Sequence, residues 1–184
     1  MKRIFLFAIV IAVFVGTGCK KNSEDNTGKR SNSEEVKPIE KISKVEEKDT
    51  GVNFTLKGID GKTYNIKDYR GKVVLLDFWA SWCGPCKISI PHFEKLYSQY
   101  KDKGFVVFGV GLENAQNLIR ASKILNINYP VLQGTQEIAQ VFRIRAIPTT
   151  FLLDKEGNIV FAQVGFNSSL PAILSHKIDS LIGG

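Results

Sequence analysis

The chain reads as an α/β protein: a central mixed β-sheet flanked by helices and entered through an N-terminal β-hairpin. Three features predict this. Val73-Val74-Leu75-Leu76-Asp77-Phe78-Trp79 is a nearly unbroken apolar run of strand length, as expected for a strand covered on both faces. Strand-like and helix-like segments alternate after it, the pattern of a layered α/β domain. Turn residues at Gly58–Gly61 and Asp154–Gly157 each separate two short runs of strand character, which predicts hairpins.

In chain order, Val52 to Leu56 and Thr63 to Ile66 form the first hairpin, and the buried run 73–79 follows. A helix begins near Cys83 and carries Cys86, Ile90, Phe93 and Tyr97 along one side, with Pro91 expected to kink it. Phe105 to Leu112 is the next buried strand, Asn114 to Leu125 a helix, Tyr129 to Leu132 a short strand and Gln136 to Phe142 another helix. Thr149 to Leu153 and Ile159 to Val164 make the second hairpin. A last helix is capped by Ser168 or Ser169, takes Pro171 into its first turn, and carries the apolar residues Leu170, Ile173, Leu174, Ile178 and Leu181.

The 184 residues, 43% of them hydrophobic, suffice for one packed domain with appendages. Met1-Lys2-Arg3 is followed by an apolar run from Ile4 to Val15 and then by small residues, the arrangement of an export signal over residues 1–18. That run is shorter than the roughly 20 residues a membrane-crossing helix needs. Gly16-Thr17-Gly18-Cys19 resembles the cleavage site of bacterial lipoproteins, which implies lipid on Cys19 and a protein tethered to a bacterial membrane, facing the periplasm or the cell exterior. Residues 20–50 balance eight basic against eight acidic side chains with few large apolar groups. Such a stretch cannot bury enough surface to offset its ordering entropy, so 19–50 is expected to be a charged flexible linker and 51–184 the folded domain.

The net charge of +7 divides into +2 from Lys2 and Arg3, zero over residues 20–50, and +5 over the remainder. That excess is scattered rather than gathered in a stripe, which argues against a nucleic-acid partner. A monomer is expected.

Of the three cysteines, Cys19 stands alone and Cys83 and Cys86 form a pair in Trp82-Cys83-Gly84-Pro85-Cys86, where the buried strand gives way to a helix. Only a thiolate attacks a disulfide, and a helix N-terminus offers unpaired N–H groups and the positive end of the dipole. Cys83 is therefore the expected nucleophile. Cys86, one turn further along the apolar side, is expected to be shielded and to resolve the mixed disulfide. Asp77 interrupts the apolar strand six residues before Cys83; desolvation would raise its pKa and suit it to exchange a proton with Cys86. Trp82, next to the nucleophile, is expected on the partner-docking surface.

The segment from Asp77 to Lys87 closely resembles the active site of thioredoxin. Arg145-Ala146-Ile147-Pro148-Thr149-Thr150 is similar to that family's cis-proline segment. The resemblance implies a thioredoxin-like fold, a cis peptide before Pro148, and a docking groove that includes Gly84, Pro85, Ile147, Pro148 and Gly165. The extra strand and helix between Phe105 and Leu132 resemble the insertion of the membrane-anchored TlpA and ResA branch. Proteins of that branch usually carry glutamate three residues after the second cysteine, where Ser89 stands here.

The function these residues point to is thiol–disulfide exchange with protein partners, in the reducing direction, fed by an upstream electron donor. No cofactor is expected beyond the redox-active Cys83–Cys86 disulfide, and no metal, since His92 and His176 lack metal-ligand spacing. The competing functions are delivery of Cu(I) by the two thiolates and peroxide reduction.

Overall fold

The computed structural model describes residues 51–183. The signal segment, Cys19 and the charged linker lie outside the described residues.

The first hairpin is smaller than its apolar pattern suggests: β1 is Thr55–Lys57 and β2 is Thr63–Asn65, paired antiparallel with Leu56 opposite Tyr64. Val52 is drawn off by a different partner, its N–H donating to the carbonyl of Gly157 at 2.9 Å. Ile66 opens a 3-10 turn over Ile66–Tyr69, with the Asn65 side chain accepting from the N–H of Lys67. Ile59 donates to the carbonyl of Val131 at 2.9 Å, so the hairpin leans on the edge of the main sheet and covers it.

That sheet holds β3 (Val73–Trp79), β4 (Phe105–Gly111), β5 (Val131–Gln133), β6 (Thr149–Leu153) and β7 (Ile159–Val164) in the spatial order β5-β4-β3-β6-β7. β3 and β4 run parallel, as do β4 and β5; β6 is antiparallel to β3 and to β7. The sheet is therefore mixed, with β3 at its centre and every residue of β3 buried. Period-two alternation sends Val73, Leu75 and Trp79 to one core, and Val74, Leu76 and Phe78 to the other. A continuous apolar run is what two cores demand of a central strand.

The first core is closed by α1 (Gly84–Tyr100), α2 (Ala115–Ile124) and α4 (Leu170–Gly183) through Ile90, Phe93, Leu96, Leu118, Leu174 and Ile178. The second is closed by α3 (Gln136–Val141) and the hairpin through Ile138, Leu56 and Ile66, with Phe142 packed on Phe78 and Phe151. α1 continues through Pro91 rather than ending there. Asn114 caps α2 and Thr135 caps α3, each side chain accepting a backbone N–H three residues on.

Two boundaries differ from expectation for backbone reasons. β5 begins at Val131, not at Tyr129: Pro130 has no N–H to give a ladder and contributes only its carbonyl, accepting from Gly109 at 3.0 Å. The turn into α4 is fastened by Asn167, whose side-chain oxygen accepts from the N–H of Ser169 at 3.0 Å, rather than by a serine hydroxyl.

Candidate active site

β3 ends at Trp79, and the chain turns through Ala80–Trp82 before entering α1; the N–H of Cys83 closes this turn on the carbonyl of Ala80 at 3.1 Å. Glu113, just beyond β4, holds the turn from the side: one carboxylate oxygen accepts from the backbone N–H of Ser81 and the other from its hydroxyl at 3.0 Å. The motif is thereby clamped between the carboxyl ends of two adjacent parallel strands. Sequence reasoning missed Glu113, because a carboxylate following a buried strand reads as an ordinary loop charge.

Cys83 is the N-cap of α1, in extended conformation, and its sulfur accepts the N–H of Cys86 at 3.2 Å. Pro85 occupies the first turn, where a missing N–H costs nothing. Cys83 and Cys86 are joined: S–S 2.01 Å, Cα–Cα 5.3 Å. Cys83 keeps 4% of its surface exposed and Cys86 none, so a partner meets the first sulfur before the second. That opening is narrow. Gly84 and Pro85 are exposed beside it, and Trp82, 70% exposed, stands out from the surface next to Cys83.

Asp77 is fully buried, and alternation along β3 sets it on the same face as Leu75 and Trp79, in the core that also contains Cys86. Burial pushes its pKa up to about 8, against a smaller opposing effect of the Thr150 hydroxyl, which lies 3.5 Å from Oδ1 across the β3–β6 pairing. Oδ2 has no hydrogen-bond partner among the described protein atoms. A carboxyl in this setting holds a proton at neutral pH and releases it a little above.

The peptide between Ile147 and Pro148 is cis. Thr149 fastens the segment by donating its hydroxyl to the carbonyl of Ala146 at 2.7 Å. Gly165 donates its N–H to the carbonyl of Pro148 at 2.7 Å with φ +76°, a left-handed conformation in which glycine is unstrained. Ile147 is half-buried and packs against both cores. His92 stacks on Phe166 with ring centroids 5.3 Å apart, a packing role. Among the described residues no group of three His, Cys, Asp or Glu side chains is placed to hold a metal, and no helix is long and apolar enough to cross a membrane.

A mixed sheet with this strand order, a Cys-Gly-Pro-Cys disulfide at the start of the helix following its central strand, and a cis-proline segment define a thioredoxin-fold protein. The chain belongs to the AhpC/TSA family, whose model matches residues 48–162. It is 32% identical over 110 residues to the thiol-disulfide oxidoreductase ResA of Bacillus thuringiensis, covering 59% of this chain and 64% of that relative, so it spans a little under two thirds of that relative's length. The thioredoxin-like protein YneN of Bacillus subtilis is 34% identical over 124 residues, covering 66% of this chain and 73% of YneN. Among solved structures, a thiol:disulfide interchange protein of the thioredoxin family from Chlorobium tepidum superposes with a TM-score of 0.66 at 28% identity, over 72% of this chain and 95% of that one.

Proposed function

We propose that this protein is an extracytoplasmic thiol–disulfide oxidoreductase that reduces disulfides in other proteins through Cys83 and Cys86. The observation that carries the reading is the hydrogen bond from the N–H of Cys86 to the sulfur of Cys83 at the N-terminus of a 17-residue helix, 3.2 Å long. That donor and the helix dipole favour negative charge on Cys83, and so favour its thiolate as both nucleophile and leaving group.

In the reducing direction the Cys83 thiolate attacks one sulfur of a partner's disulfide. The partner's other sulfur leaves as a thiolate and a mixed disulfide forms. Cys86 then gives its proton to the ionised form of Asp77, which becomes populated as the pH rises through about 8, and attacks the Cys83 sulfur, releasing the partner's second thiolate and closing the bond present in the structure. Two electrons pass from the dithiol to the partner, and an upstream thiol donor restores the dithiol by the reverse exchange. No cofactor takes part in these steps; the disulfide itself carries the electrons.

The partner's segment would lie between Trp82 and the Ile147–Pro148 peptide, where Thr149 and Gly165 hold the backbone rigid. The lipoprotein-like start supports tethering through lipid on Cys19, with residues 20–50 giving the domain reach from the membrane. Reduction of insulin by the purified protein in the presence of a thiol donor tests the reading: turnover is expected, and absence of turnover by fully reduced protein overturns it.

A further inference from the structure

Beside the cysteine motif, between α1 and α2, lies a cavity of about 300 Å³ whose walls include Ser81, Lys87, Asn117, Arg120, Ile124 and Leu125. Ser81 and Lys87 flank the two cysteines in the chain, so the cavity adjoins the segment that carries them. We propose that it receives an acidic side chain, Asp or Glu, carried on a partner protein close in sequence to the disulfide being reduced. The inference rests on the thiol–disulfide exchange proposed above and names a feature of its substrates.

The chemistry of the walls points to a carboxylate. Lys87 and Arg120 are both exposed, and neither has a carboxylate partner among the described residues. No acidic residue lines the cavity. Glu113, which touches the lining residue Ser81, has both oxygens engaged by it. α2 begins at this site with no acidic residue in its first turn, and the half-buried Asn117 adds an amide able to donate. The remaining wall is apolar: Ile124 is 72% exposed and Leu125 half-buried. A free inorganic anion would gain nothing from that wall, whereas the methylene stem of Glu, or an apolar neighbour of Asp, would cover it. A guanidinium and an ammonium at the rim of a docking site act chiefly by steering the partner and fixing its register.

The test uses two disulfide-containing peptide pairs that differ only in whether Glu or Gln stands a few residues from the cysteine, and a third with Lys there. kcat/KM is measured for each with the wild-type protein and with Arg120→Gln, Arg120→Glu and Arg120→Lys. Neutral 2-hydroxyethyl disulfide is assayed on the same preparations. The wild type is expected to prefer Glu over Gln by about fivefold at low ionic strength, with the gap closing as salt is added. R120Q is expected to reduce the preference, R120E to turn it toward the Lys peptide, and R120K to restore most of it. Equal rates for Glu and Gln peptides with the wild type, or an unchanged preference in R120E, would overturn the inference. If 2-hydroxyethyl disulfide is turned over while the peptide preference is absent, this inference alone falls. If the wild type reduces neither peptides nor the small disulfide, the exchange activity itself falls.

Discussion

Thr150 stands directly across the β3–β6 pairing from Asp77, and its hydroxyl lies 3.5 Å from the one carboxylate oxygen that has a partner. The geometry is that of a buried acid kept almost unsolvated and given a single weak stabiliser for its charged form. A hydroxyl at this distance offsets little of the desolvation, which is why the pKa settles near 8 instead of in the ordinary carboxylate range. Burial and this one hydroxyl together set the pH at which Asp77 loses its proton.

Resolution of the mixed disulfide by Cys86 should follow that titration. Single-turnover kinetics are expected to show a rate that rises with pH through about 8. Asp77→Asn should remove this inflection and slow the step by about 10²-fold, the lower range for loss of a positioned proton acceptor. Thr150→Val, which deletes the opposing hydroxyl, should move the inflection to higher pH. A D77N protein with the wild-type pH profile would show that the proton goes elsewhere.

The same group makes stability depend on pH. The folded-state pKa of Asp77 is raised above its unfolded value of 3.8, so between about 4 and about 8 the folded state holds a proton that the unfolded state has lost. The contribution is fully present below the unfolded pKa and declines as pH rises through this window. Urea unfolding of the oxidised protein should give a lower free energy at pH 8 than at pH 5, and D77N should flatten the profile and be the more stable protein at pH 8, by on the order of a few kcal/mol. A wild-type profile as flat as that of D77N would contradict the burial argument.

The unequal exposure of the two cysteines, 4% for Cys83 and none for Cys86, predicts unequal phenotypes. Cys83→Ser should abolish reduction of protein disulfides, because the remaining thiol has no exposed surface. Cys86→Ser should retain the first attack and accumulate a mixed disulfide with the partner, seen as a shifted band on a non-reducing gel and released by dithiothreitol. Accumulation of the adduct in C83S instead would reverse the assignment.

Gly109 pairs in register with Asp77, and a Cβ built on it would lie 3.0 Å from the Trp79 indole nitrogen and 3.1 Å from the Tyr129 ring. Gly109→Ala should therefore overpack this part of the first core and destabilise the fold by about 1–3 kcal/mol, measured by chemical denaturation. Since Tyr129 and Trp79 border the Asp77 side of β3, the kinetic inflection near pH 8 should move as well. An alanine tolerated without cost would mean that both rings shift freely.

Much of the architecture was legible because its signals are local. An unbroken apolar run from Val73 to Trp79 means a strand with two covered faces, and helix-period spacing from Cys86 to Phe93 means one buried side, whatever surrounds them. The ends were less legible: β1 and β5 are shorter than their apolar runs because Val52 bonds to Gly157 and because Pro130 cannot donate, facts of pairing rather than of pattern. The two cysteines were found from spacing and context, and Asp77 stood out as a charge inside an apolar strand. Glu113, Thr150 and Arg120 carried no such mark.

By itself, the amino-acid order determined where the candidate groups lie: a thiol pair at a strand-to-helix junction, with a carboxyl six residues upstream, is a property of contiguous chain. What the tertiary structure decided is the environment of each. Whether Asp77 titrates near 8 depends on Thr150, 73 positions away, and on the complete exclusion of solvent from its side of the sheet. Whether the turn bearing Cys83 is held still depends on Glu113, 32 positions from Ser81. Solvation and hydrogen-bond partners are set by groups that meet only when the sheet forms, and a pKa responds to those groups rather than to sequence neighbours.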